Sequence, residues 1–256
     1  MNLTHTLIAI LSLSASVLAA EVTDYPVTPY GPKDPKWRKD QSDDYARRSR
    51  GSYFPWETVF IGDSITWLWG VPASHPDKGG REVFQKIFTF QKAIIFAVSG
   101  DKIQNTLWRI KVNKELTGHP VKNIVLMIGT NNIMGRNGDS AEQVVHGIGQ
   151  VVEAIKETQP TAKILVLSMP PLSFTGKADR DMAPVKAVPM IQKLADDKRV
   201  FFLDITPFFL DANGKVVNLR DGVHPDTHGY ELMAPAIAAK LLEMNPANPS
   251  ALKGKE

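Results

Sequence analysis

Ser64 stands where a short run of β-branched and aromatic residues, Thr58-Val-Phe-Ile61, stops at Gly62-Asp63-Ser64. A buried strand ending there in a tight turn places the hydroxyl at the carboxyl edge of a sheet, where open α/β folds bind ligands. A serine hydroxyl alone is a poor nucleophile, so covalent chemistry needs a base, a group that orients the base, and donors for the developing oxyanion. The chain offers each. His224, in Asp221-Gly-Val-His-Pro225, suits the base, because an imidazole titrates near neutrality and can take the serine proton and return it to a leaving group. Asp221 lies three residues earlier, within reach of the other ring nitrogen. Gly100, in Ser99-Gly-Asp101, lacks a side chain, so its N–H can approach an oxyanion closely, and the Ser64 N–H can do the same. Asn131, in Gly129-Thr-Asn-Asn132, adds a side-chain amide. One such donor is worth about 3 kcal/mol of transition-state stabilisation, roughly a hundredfold in rate.

Taken singly, these residues have plainer readings: a serine that caps a helix, a glycine present for its dihedrals, an Asn-rich turn, an exposed loop histidine. Their common position argues otherwise, since three of the motifs follow the ends of strand-like runs and the fourth fills the last polar loop. Near-continuous apolar runs at residues 58–63, 93–99, 123–129, 163–168 and 200–205 suit strands covered on both faces. Helix-like stretches fall at residues 81–90, 102–114, 140–158, 185–197 and 228–244, and Ser140 with Gln143 reads as a capping box. Alternation of this kind predicts an α/β fold: a three-layer, doubly wound, five-stranded parallel sheet. Every strand then ends on one edge, which brings distant motifs together.

The 256 residues, 43% hydrophobic and 22% charged, fit one globular domain, expected over residues 57–245. A net charge of +3, with no basic run interleaved with aromatics, does not argue for nucleic acid. Residues 1–20 read as a cleaved secretory signal with a short apolar stretch and small residues at its end, although His5 is the only basic side chain there. The expected location is therefore secreted or periplasmic, with no stable membrane anchor. With no cysteine, neither a disulfide framework nor a lipidated anchor is expected. Residues 21–56 carry several prolines and a charged patch without sustained period, and read as an irregular arm; residues 246–256 read as a mobile tail. No His-Glu-x-x-His stretch suggests zinc, no Gly-rich loop with its lysine suggests phosphoryl transfer, and Gly-x-Ser-x-Gly is absent.

The four blocks, Ser64 in FIGDSIT, Gly100 in VSGDK, Asn131 in IGTNN and His224 in DGVHPD, resemble those of the SGNH (GDSL-type) esterase superfamily. Within it the chain is most similar to platelet-activating-factor acetylhydrolase catalytic subunits and their bacterial relatives, through REVF near Arg81, SGDKIQNTLWRIK, VLMIGTNN and QPTAKILVLSMPP. The likeness spans residues 58–242. It implies a flavodoxin-like sheet, ester hydrolysis through an acyl-serine intermediate, and no metal or organic cofactor, with Asp221 and His224 matching the family's Asp-x-x-His pair. One departure is Ile95-Phe-Ala97, where close relatives carry Asn-Phe-Gly; altered packing is the expected result. Asp63 and Trp67, flanking the serine, are expected to touch substrate, and Trp69 also falls near enough to line an acyl or sugar pocket. Export points to a small acyl ester, acetyl foremost, on carbohydrate. The alternatives are a phospholipid or lysophospholipid substrate, or a non-catalytic glycan-binding module.

Overall fold

The computed structural model describes residues 36–135 and 137–246; the expected signal segment and residues 247–256 lie outside the described residues. Five parallel strands form the sheet: β1 (Thr58–Gly62), β2 (Ala93–Ala97), β3 (Asn123–Met127), β4 (Lys163–Leu167) and β5 (Val200–Leu203). Their order is β2-β1-β3-β4-β5, the flavodoxin-like arrangement, whose ligand crevice opens where the winding reverses beside β1. Every residue of β1 and β3 is buried, because helices cover both faces. Edge strand β2 leaves Ile94 and Ile95 half-buried, and of the departure from the family pattern, Ile95-Phe-Ala97, only Ile95 is not fully buried.

Helices α4 (Ile103–Lys111), α6 (Ala141–Thr158) and α8 (Ala183–Gln192) pack together, and α3 (Arg81–Phe88) packs with α9 (Thr227–Met244). Short helices α2 (Ser64–Trp67), α5 (Thr130–Met134) and α7 (Ala178–Asp181) lie between these elements. Ser140 caps α6 as its spacing predicts: its hydroxyl accepts from the Gln143 N–H, and the Gln143 side chain accepts from the Ser140 N–H. In register, Gly62 lies opposite both Ala97 and Met127. The loops leaving β1, β2 and β3 therefore start from one level of the sheet.

The expected irregular arm is corrected in its described part, since Lys36–Arg50 is a fifteen-residue helix, α1. Its buried side chains are Ser42, Tyr45, Ala46 and Ser49, a helical spacing filled with small and polar residues. Exposed pairs at i, i+4 such as Lys36–Asp40 and Lys39–Asp43 run along its outer face. Tyr45 anchors it by stacking on Phe96 of β2 at 4.6 Å between ring centroids and donating its hydroxyl to the Ala97 carbonyl. An aromatic pair of this kind adds about 1 kcal/mol beyond its buried area.

Candidate active site

The chain after β1 turns so sharply that a Cβ on Gly62 would fall 2.2 Å from the Thr66 hydroxyl and 2.3 Å from the Met127 carbonyl. Only glycine fits, and the turn delivers Ser64 as the first residue of α2. The Asp63 carboxylate caps that helix by accepting from the Ile65 N–H at 3.0 Å. Asp63 is fully buried, which corrects its expected role in touching substrate: it shapes the turn instead. Burial, followed by the charge of Asp101, pushes its carboxyl up to about 7, and its second oxygen is buried without a partner. Trp69 is likewise core, packed against Phe84, Phe88 and Tyr230. Trp67 stays half-buried beside the turn.

From the far end of the chain, the loop before α9 brings His224 against this turn. His224 Nε2 lies 2.8 Å from Ser64 Oγ, and Nδ1 lies 2.8 Å from Asp221 Oδ2. The other oxygen, Asp221 Oδ1, accepts from the backbone N–H groups of Val223 at 3.1 Å and His224 at 2.8 Å. One carboxylate thus folds the loop and orients the ring. Burial acts upward on Asp221, but the His224 N–H and ring together with the Val223 N–H outweigh it and hold the carboxyl below its usual range. Arg220 adds a 3.0 Å ion pair to Asp77, and its N–H donates to the His224 carbonyl. Tyr230 of α9 donates to the Ile65 carbonyl at 2.8 Å, tying the two segments together. Asp204, just past the end of β5, accepts from the Ser168 and Thr206 hydroxyls and takes no part in this arrangement.

The donor side is built differently. Gly100 has φ +78°, a left-handed conformation that suits glycine. Asn131, second residue of α5, gives one amide hydrogen to the Asp101 carbonyl at 2.9 Å, which leaves its second for an oxyanion. Asn132 holds the same loop by accepting from the Ile103 N–H. Behind it, buried Arg109 bonds Asp101 at 2.8 Å and Glu115 at 2.8–2.9 Å, and also donates to the Phe96 carbonyl. Burial pushes Asp101 up to about 6 against the pull of Arg109, and raises Glu115 by the same cause. Burial acts downward on Arg109, yet Glu115 and Asp101 overcome it and drive the guanidinium up. Ser42 of α1 donates to Glu115. Sequence reading missed this network; its one visible sign is an arginine within the largely apolar face of residues 103–110.

A serine hydroxyl hydrogen-bonded to an imidazole, the imidazole held by a carboxylate, and amide donors on the adjoining strand end are the parts required for acyl transfer. An apolar hollow of about 470 Å³, lined by Trp56, Trp69, Phe84, Phe88 and Ile95 among others, lies along β2; none of Ser64, Gly100, Asn131 and His224 lines it.

The GDSL-like Lipase/Acylhydrolase family model matches residues 60–232. The chain is 32% identical over 190 residues to the platelet-activating factor acetylhydrolase IB subunit alpha1 of Bos taurus, covering 73% of this chain and 76% of that protein. It is 31% identical over 179 residues to the alpha2 subunit of Rattus norvegicus, covering 68% and 71%. Among solved structures it resembles a GDSL-like lipase from Bacteroides thetaiotaomicron, with TM-score 0.60, 19% identity and coverage of 79% and 98%. An acetylxylan esterase from Geobacillus stearothermophilus matches with TM-score 0.53, 15% identity and coverage of 73% and 94%. At these identities the structural likeness speaks for the fold.

Proposed function

The chain belongs to the GDSL-like lipase/acylhydrolase family and is a carboxylic ester hydrolase; we propose that it removes small acyl groups, acetyl foremost, from a hydroxylated carbohydrate, with Ser64 as nucleophile. His224 Nε2 takes the Ser64 proton as Oγ attacks the ester carbonyl carbon. The carbonyl oxygen gains the negative charge and is met by the N–H groups of Ser64 and Gly100 and the Asn131 amide. As the tetrahedral intermediate collapses, the carbon–oxygen bond to the alcohol breaks and His224 returns the proton to the departing oxygen. Water then attacks the acyl-serine, with His224 again taking a proton, and the acid is released with Ser64 restored. Asp221 stays ionised and steadies the imidazolium of each step.

The observation that carries this reading is the pair of 2.8 Å hydrogen bonds from Ser64 through His224 to Asp221. Its test is turnover of p-nitrophenyl acetate by the protein and by Ser64→Ala, and equal rates would end the serine mechanism. Family membership sets aside the non-catalytic glycan-binding module. The carbohydrate part of the proposal draws support from the acetylxylan esterase among the fold neighbours and from the expectation that residues 1–20 are a secretory signal. No helix among the described residues is long and apolar enough to cross a membrane. Amino-terminal sequencing of the protein recovered from its native host checks cleavage near Ala20.

A second reading, an acetylated phospholipid as substrate, is favoured by the mammalian relatives and their name. A series of esters from acetyl to octanoyl on carbohydrate and glycerophospholipid alcohols separates the two. The carbohydrate reading expects acetyl-sugar turnover that exceeds turnover of the matched glycerophospholipid acetate.

A further inference from the structure

Helix α1 lies outside residues 60–232, the stretch that defines the family, yet it reaches the donor side of the site. A Cβ built on Gly100 would fall 1.5 Å from Nη2 of Arg38 and 2.7 Å from its Cζ. The guanidinium therefore lies directly over the glycine whose N–H is assigned to the oxyanion. Substituting Gly100 would collide with Arg38 as well as strain the left-handed backbone.

The partners of Arg38 are incomplete. Its Nε is buried and has no hydrogen-bond acceptor, and among the described residues no carboxylate lies within ion-pair distance of it. Every other arginine of α1 that forms an ion pair does so outward, Arg47 and Arg48 with Asp44. Asp101 attracts the guanidinium only at longer range and the Trp37 ring lies 5.8 Å from its Cζ, so the buried Nε remains a donor without an acceptor, which is costly unless a bound group supplies one. The helix holding it is firmly docked: Tyr45 bonds the Ala97 carbonyl, and Ser42 is joined to Glu115 and Asn113. Two further cations add positive charge to the same rim. Lys102 follows the Gly100 loop with its ammonium near Gly135, and Arg180 donates to the Gly135 carbonyl.

Resting on the esterase reading above, we propose that Arg38 is a specificity residue that binds an anionic substituent, carboxylate or phosphoryl, carried by the ester's alcohol close to the scissile bond. The planar fork of a guanidinium matches either oxyanion through paired N–H donors. Its place over Gly100 would register the substrate so that the ester carbonyl enters the donor set. Helix α1 thereby adds a substrate contact that residues 60–232 alone would not supply.

The test compares matched substrates. In one arm, methyl O-acetyl-galacturonoside is compared with its uncharged methyl ester; in the other, acetylglycerol phosphate is compared with acetylglycerol. For each pair kcat/KM is measured on the full protein, on Arg38→Gln and Arg38→Lys, and on Tyr45→Phe as a variant that loosens α1 while keeping the guanidinium. The protein should prefer the charged member of at least one pair by about tenfold or more, mainly through KM. Arg38→Gln should bring that ratio close to one, Arg38→Lys should retain part of it, and Tyr45→Phe should retain it. Added salt should shrink it. A preference in the galacturonate arm identifies carboxylate as the group bound, and one in the glycerol arm identifies phosphoryl. No preference in either arm, or one that survives Arg38→Gln, overturns the proposal. A ratio of rates is insensitive to partial loss of folded protein. Failure of the esterase reading would appear separately, as no turnover of p-nitrophenyl acetate by the unaltered protein.

Discussion

The two sides of the cleft are built on opposite plans. The donor loop around Gly100 rests on buried charge, with Arg109 between Asp101 and Glu115, all nearly inaccessible. The His224 loop rests on local hydrogen bonds around Asp221, whose side chain is 44% exposed. Breaking a buried ion network strands a charge in low dielectric, whereas an exposed carboxylate can recover its hydration. The donor side should therefore couple geometry to the stability of the whole domain, and the base side should be separable from it.

The largest expected effect sharpens that contrast. His224→Ala should lower kcat by about 10⁴-fold or more, while the thermal midpoint measured by circular dichroism stays close to that of the unaltered protein. Next, Arg109→Met should cost about 3–5 kcal/mol in urea unfolding, because Asp101 and Glu115 lose their shared cation. A loss below about 1 kcal/mol, within the range of a surface pair, would break the comparison. Asn131→Ala should reduce kcat by about 10²- to 10³-fold, with KM on p-nitrophenyl acetate changing much less.

The smallest effect concerns Asp63. Its folded carboxyl is raised to about 7 from 3.8, so the folded state holds that proton more tightly than the unfolded chain does. The corresponding stability is complete below about pH 4 and is lost as pH rises through 7. Asp63→Asn keeps an oxygen for the Ile65 N–H and cannot ionise. Its thermal midpoint should fall less between pH 5 and pH 8 than that of the unaltered protein; an identical fall in both would refute the assignment.

Much of this architecture was legible in residue patterns. The five apolar runs became the five strands, each ending one or two residues earlier than the run, because residues such as Val98 and Ile128 stay buried after leaving the sheet. Ser64, Asp221 and His224 were visible because each sits in a short polar motif at a break in periodicity, and they meet within hydrogen-bond distance. Helix α1 was not visible. Its inward face is Ser42, Tyr45, Ala46 and Ser49, held largely by hydrogen bonds and one ring stack, so it carries little hydrophobic periodicity. Asp63 was misassigned for a related reason: an aspartate beside a serine reads as polar machinery, but its neighbour's N–H turned it inward as a cap. The Arg109 network shows the same limit, since pairing decides whether a charge can be buried, and pairing is a property of the fold.

The central claim is that Ser64 attacks through His224. Incubation with a fluorophosphonate ester followed by peptide mass spectrometry tests it directly. The account predicts one phosphonyl adduct, on Ser64, absent from Ser64→Ala and formed at least about 10²-fold more slowly in His224→Ala. Unmodified Ser64 in protein that is hydrolysing p-nitrophenyl acetate, or an adduct on another residue, would contradict it.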